Sequence, residues 1–129
     1  MLIIENAIDD QVLGELSTLL SAGNYVDGRN TASAAVESVK QNLQLDFRDP
    51  NYARADALVR QHLVGLEALQ DYAIPVRSSN VLFSRYNPGQ TYESHVDAPM
   101  MRSGNQLIRA DISFTLFLVP PLGAGHQTL

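Results

Sequence analysis

Residues 86–97 read YNPGQTYESHVD. Tyr86 closes a period-two run in which Val81, Phe83 and Arg85 alternate with Leu82, Ser84 and Tyr86, the pattern of a strand with two unlike faces. Pro88-Gly89 marks a turn, and Thr91–Val96 reads as the returning strand. His95 and Asp97 lie two apart. On extended backbone, residues i and i+2 point to one face, so an imidazole and a carboxylate can converge on one metal ion. Two His and one carboxylate on one face of an octahedron leave three positions for other ligands, the arrangement of non-heme iron(II) oxygenases.

Further along the chain the strand character continues. Residues 98–106, APMMRSGNQ, read as a loop. Leu107–Val119 is the longest β-like run: Asp111, Ser113, Thr115 and Phe117 alternate with Ile112, Phe114, Leu116 and Leu118. One apolar and one mostly polar face suit a sheet packed on its outer side and ligand-lined on its inner side. Pro120-Pro121 ends the run.

Toward the N-terminus the periodicity turns helical. Leu2–Ile4 reads as a short strand. Asp9 or Asp10 can cap a helix, along which Val12, Leu13, Leu16, Leu19 and Leu20 recur at helical spacing until Gly23. Residues 24–34 read as a loop with a turn at Asp27-Gly28, and residues 35–43 fit neither period. A second helix begins after Pro50, with Tyr52, Ala55, Leu58, Val59, His62, Leu63, Leu66 and Leu69 on its apolar face, and Pro75 ends it. His62 reads as a core or boundary histidine on that face. Helices followed by strands predict an α+β domain.

The chain has 129 residues, enough for one domain, which should bury roughly two-thirds of its unfolded surface. It is 45% hydrophobic and 18% charged, with a formal net charge of -5 and scattered basic residues. That balance argues against nucleic acid as a partner. Without cysteine, disulfides, zinc-thiolate sites and iron–sulfur clusters are excluded. A cytoplasmic location is expected. The opening MLIIENAIDD lacks the features of a signal peptide, and no apolar stretch approaches a membrane span.

Tyr86, Gly89, Tyr92, His95 and Asp97 fit the pattern YxxGxxYxxHxD. This resembles the prolyl-4-hydroxylase branch of the 2-oxoglutarate/Fe(II) dioxygenases. Four segments resemble the bacterial PKHD-type hydroxylases in particular: MLIIENAIDD, YVDGRNTASAAVESVKQNLQL (25–45), LFSRYNPGQTYESHVDAPM (82–100) and RADISFTLFL (109–118). The resemblance implies N-terminal helices packed on an incomplete double-stranded β-helix, or jelly roll. Within a single domain 1–129, residues 1–75 would be mainly helical, 76–119 strands and 120–129 a divergent tail. It assigns His95 and Asp97 as iron ligands and places Tyr86 and Thr115, with Ser113, in the co-substrate pocket. Arg109 is left unassigned, and Tyr92 is given to packing or substrate. The cofactors implied are Fe(II), 2-oxoglutarate and ascorbate.

Family members continue past the LFL strand to a second His and a basic residue that anchors 2-oxoglutarate. Here the only later histidine is His126, too close to Asp97 in sequence, so a C-terminally truncated member is expected. Open sheet edges would then favour a homodimer. The activity implied is hydroxylation of an unactivated C–H in an unknown, possibly peptidyl, substrate. Two other readings compete: a truncated remnant that binds or dimerises without catalysis, and a cupin-like metal protein. The HxD pair, in place of the cupin HxH, favours the oxygenase.

Overall fold

The structure, a computed structural model, describes residues 2–31, 40–73, 77–90 and 100–119, with backbone alone for Ser103. In chain order the elements are helix α1 (Asp10–Ser21), strand β1 (Tyr25–Asp27), a single 3-10 turn (Gly28–Thr31), β2 (Leu43–Leu45), α2 (Pro50–Val64), α3 (Glu67–Tyr72), β3 (Ser84–Arg85), β4 (Met100–Ser103) and β5 (Gln106–Arg109). The class is α+β, as expected. Among the described residues the strands form a three-stranded antiparallel sheet, β1-β2-β3, and a separate hairpin, β4-β5.

Capping explains where the two long helices start. Asp9 Oδ1 accepts from the Val12 N–H at 2.9 Å, satisfying one of the donors a helix leaves open at its first turn. Asp49 does the same for α2 through the Asn51 N–H at 2.8 Å, with Pro50 set at the helix start. Its other oxygen accepts from the Asn24 N–H at 2.8 Å. Asn51 in turn donates to the Leu19 carbonyl at 3.1 Å. The start of α2 is thus tied to the end of α1.

The core forms where α1, α2 and the sheet meet. Leu16, Leu45, Tyr52, Ala55, Leu58, Val59 and Phe83 are its buried members. Tyr52 presents edges to Phe47 and Phe83, at centroid distances of 4.9 and 6.0 Å, a favoured aromatic geometry. Its hydroxyl donates to the Val81 carbonyl at 2.8 Å. Burial, with Asp56 beside it, raises the Tyr52 pKa well above the phenol range. Asp56 accepts from the Val81 N–H and from Arg60, which also donates to Ser78 and to the Ser79 carbonyl. Residues 78–81 are thereby fastened to α2.

Several sequence expectations need correction. Residues 2–4 form no strand. The loop expected at 24–34 holds β1 and the 3-10 turn, because Tyr25–Asp27 find β2 as a partner that local sequence does not reveal. The second helix breaks at Gly65 and Leu66 before α3, since glycine weakens helix continuation. The loop expected at 98–106 includes the β4-β5 hairpin: Ser103 pairs with Gln106 across Gly104-Asn105. Gly104 has φ +60°, which a two-residue hairpin turn demands of its first central residue.

The long strand expected at 107–119 is largely absent: β5 ends at Arg109. Residues 110–119 have no strand partner among the described residues, and alternation without a partner is not a strand. Leu116 and Leu118 still pack on the core, whereas Ile112 and Phe114, expected on the same face, are exposed. The turn at Pro88-Gly89 is as expected, with the Gln90 N–H donating to the Asn87 carbonyl at 2.9 Å. The expected strand 91–96 and the tail 120–129 lie outside the described residues.

Candidate functional site

β2 has two unlike faces, and the contrast locates the site. Leu45 points into the core against Leu16 and Val59. Lys40, Asn42 and Gln44 alternate with Leu43 and Leu45, and all three are buried. A polar row buried on the side away from an apolar core is unusual, because a buried polar group is costly unless paired. Thr31 pairs two of the three. Its hydroxyl accepts from Lys40 Nζ at 3.1 Å and donates to Gln44 Oε1 at 2.7 Å. Burial lowers the Lys40 pKa, and nearby Asp27 opposes that shift.

Asn42 differs. The residue is buried at 3% exposure, and among the described residues Nδ2 and Oδ1 meet no partner in strict hydrogen-bond geometry, although the Tyr86 phenol is close enough to interact with the amide. Leaving such groups unpaired costs about 1–3 kcal/mol. The backbone nearby is well tied: the Gly28 N–H donates to the Asn42 carbonyl at 2.9 Å. A Cβ at position 28 would lie 1.8 Å from Asn42 Oδ1, so only glycine lets the Asn42 amide lie against this turn.

Around the amide is a cleft of about 370 Å³ lined by Asp27, Arg29, Lys40, Gln41, Asn42, Leu43 and Gln90. Arg29 Nε donates to both Asp27 oxygens, at 2.9 and 3.0 Å. Those bonds hold the Asp27 carboxyl at a pKa of about 2. Gln90 follows the Pro88-Gly89 turn and stands five residues before His95 in the chain.

Of the residues singled out from sequence, Tyr86 lies at this site. β2 and β3 pair with Leu43 opposite Arg85 and Gln44 opposite Ser84, which carries the chain past Asn42 at Tyr86. Burial raises the Tyr86 pKa, and a side-chain hydrogen bond with Asn42 offsets part of the rise. Thr115 and Ser113 are exposed in the segment after β5, and no hydrogen bond joins them to Tyr86. Arg109 pairs with Asp111 at 2.7 Å, a surface ion pair. His62 is half-buried, with Nε2 3.5 Å from Asp9 Oδ2, which fits the boundary role read from sequence. His95, Asp97, Tyr92 and His126 lie outside the described residues. Among the described residues no group of three or more His, Asp or Glu could hold a metal.

Lys40, Asn42 and Gln44 were not singled out by the sequence reading. The signal was present in KQNLQL (40–45), where polar and apolar residues alternate. Without knowing that β2 has a neighbour on each side, that alternation also fits an exposed strand.

Comparison with known proteins shows what the chain is similar to. Over 94% of its length the chain is similar to proteins named PKHD-type hydroxylases. Among these relatives are the enzyme of Crocosphaera subtropica, 40% identical over 121 residues, and that of Thermosynechococcus vestitus, 38% identical over the same length. Each match covers 94% of this chain and 54% of the relative. A third, from Klebsiella pneumoniae strain 342, is 42% identical over 113 residues, covering 87% of this chain and 50% of the relative. The chain spans about half the length of the curated relatives it matches. A match over 121 of 129 residues runs through residues 9–121 wherever it begins, so residues 86–97 lie inside it. No protein-family model matches, and among the described residues no helix is long and apolar enough to cross a membrane.

Proposed function

We propose that this chain carries part of an iron(II)- and 2-oxoglutarate-dependent hydroxylase, with His95 and Asp97 as two of the iron ligands. The homology to PKHD-type hydroxylases across residues 86–97 carries this reading. The donor set fits the metal in kind: neutral imidazole suits iron(II), and a carboxylate offsets part of its charge. In the same reading the chain forms one domain, and its α+β elements belong to a jelly roll of which the described residues hold only some strands. Tyr86 and Thr115 line the co-substrate pocket, where the Tyr86 phenol can donate to a carboxylate of 2-oxoglutarate. Ascorbate would keep the iron reduced.

Bound iron and 2-oxoglutarate supply the oxidising power that places a hydroxyl on an unactivated C–H. The protein's contribution is to hold the metal and orient the substrate, which in this reading is peptidyl. In the chain, His95 and Asp97 lie between the Pro88-Gly89 turn and the β4-β5 hairpin.

Anaerobic titration of the chain with iron(II) and 2-oxoglutarate tests the proposal. The expected result is the visible charge-transfer band of 2-oxoglutarate bound to iron(II), saturating at one iron per chain. Complete absence of the band would reject the site and favour a non-catalytic binding module of the same lineage.

The homodimer is likewise proposed. Leu107, Ile112, Phe114 and Phe117 are all more than half exposed, and a second copy would cover them. Light scattering should give twice the 14.2 kDa chain mass at micromolar concentration, and a clean monomer would overturn it.

A further inference from the structure

A single row of residues crosses the three-stranded sheet at its polar end. β1 and β2 pair with Asp27 opposite Leu43, and β2 and β3 pair with Leu43 opposite Arg85. One step further in the same registers, Gly28, Asn42 and Tyr86 stand side by side, and the Gly28 N–H donates to the Asn42 carbonyl at 2.9 Å. Cross-strand neighbours on one face are about 5 Å apart. On one flank the Asn42 amide lies so close to Gly28 that a Cβ there would come within 1.8 Å of Oδ1. On the other flank it interacts with the Tyr86 phenol. Lys40 and Gln44, its neighbours on the same face of β2, are joined to each other through Thr31. Asn42 is thus the member of the polar row that serves Tyr86.

The polarity of the contact follows from its effect. Asn42 lowers the Tyr86 pKa against the rise from burial, as a donor facing the phenol oxygen does. With Oδ1 against Gly28, Nδ2 is the donor. A tyrosine hydroxyl has one O–H and two lone pairs, so accepting from Asn42 leaves its O–H free to donate, and polarised to donate more strongly. Tyr86 is 46% exposed, so packing alone does not fix its hydroxyl.

We propose that Asn42 is a positioning residue for Tyr86: held in place against Gly28, its amide anchors the phenol oxygen from inside the sheet and presents the O–H to a carboxylate. The proposal deepens the hydroxylase reading and rests on it for that carboxylate being the one on 2-oxoglutarate. Asn42 itself touches no ligand, since both its polar atoms are closed off from solvent.

The test first reads the contact in the metal-free chain. In protein labelled with ¹³C-tyrosine, and with Tyr86→Phe to assign the signal, Asn42→Leu should move the Tyr86 titration midpoint to higher pH. Tyr86→Phe, which removes only the hydroxyl, should shift the Asn42 side-chain amide resonances, and Tyr72→Phe at another exposed tyrosine should not; this reading stands even if Asn42→Leu does not fold. With iron(II) bound and oxygen excluded, Asn42→Leu and Tyr86→Phe should each raise the 2-oxoglutarate concentration that half-saturates the charge-transfer band by at least about fivefold, the equivalent of one hydrogen bond. The double variant should be little worse than either, because both remove the same interaction. An unmoved Tyr86 midpoint, Asn42 resonances indifferent to Tyr86→Phe, or full additivity of the two substitutions would overturn the proposal. Absence of the band in the unmodified chain, with both metal-free readings as expected, would strike the hydroxylase reading and leave the Asn42–Tyr86 pairing.

Discussion

His95→Ala and Asp97→Ala are each expected to lower iron(II) affinity by about 100-fold or more and to abolish the charge-transfer band with 2-oxoglutarate. The magnitude follows from what ligands do. Losing a group that only supports a ligand typically costs about 10–100-fold in metal affinity, and losing the ligand itself should cost at least as much. The two variants differ in kind. His95→Ala removes a neutral donor, whereas Asp97→Ala also removes the negative charge that offsets the metal's. Asp97→Ala should therefore show the steeper dependence on ionic strength.

His62→Ala and His126→Ala are the controls. His62 sits on α2 with Nε2 3.5 Å from Asp9 Oδ2. Neither control should change iron affinity by more than about twofold. If His126→Ala abolished the band while His95→Ala did not, the ligand assignment would be wrong.

Leu45→Ala should destabilise the fold by about 3–4 kcal/mol, within the range for truncating a buried leucine. Leu45 is 1% exposed and packs with Leu16, Val59 and Phe83. Its Cδ1 also fills the space beside Gly23, where a Cβ would come within 2.3 Å. The truncation opens a cavity at the seam between α1 and the sheet, where relaxation is limited by backbone on both sides. For a domain of this size the thermal midpoint should fall by on the order of 10 °C. Urea denaturation measures the loss directly. Val64→Ala, at a residue 72% exposed, should stay within about 0.5 kcal/mol. A Leu45→Ala change below about 1 kcal/mol would mean that the sheet does not pack on the helices as described.

The two faces of β2 have different roles. Leu45 anchors β2 to the helices, and that anchoring holds Lys40, Asn42 and Gln44 facing away from them. Weakening the core should therefore also disturb the cleft.

Much was legible from residues alone because the signals were local. Helical spacing and a capping aspartate announced α1, a proline start announced α2, and Pro88-Gly89 announced a turn. These depend on contacts within a few residues, which the chain order already specifies. The HxD pair is proposed as a ligand pair on the same local ground, since residues two apart on extended backbone share a face; both residues lie outside the described residues. What could not be read was everything that required a distant partner. Tyr25–Asp27 became a strand only because β2 lay beside it. Residues 110–119 lost their strand character for lack of a neighbour among the described residues. The polar row at 40, 42 and 44 gained its meaning when pairing with β1 and β3 buried it beside Tyr86 and Gln90. The proposal for residues 86–97 thus rests on the order of the amino acids, while the cleft lined by Asp27, Asn42 and Gln90 exists only because residues far apart in sequence are brought together by folding.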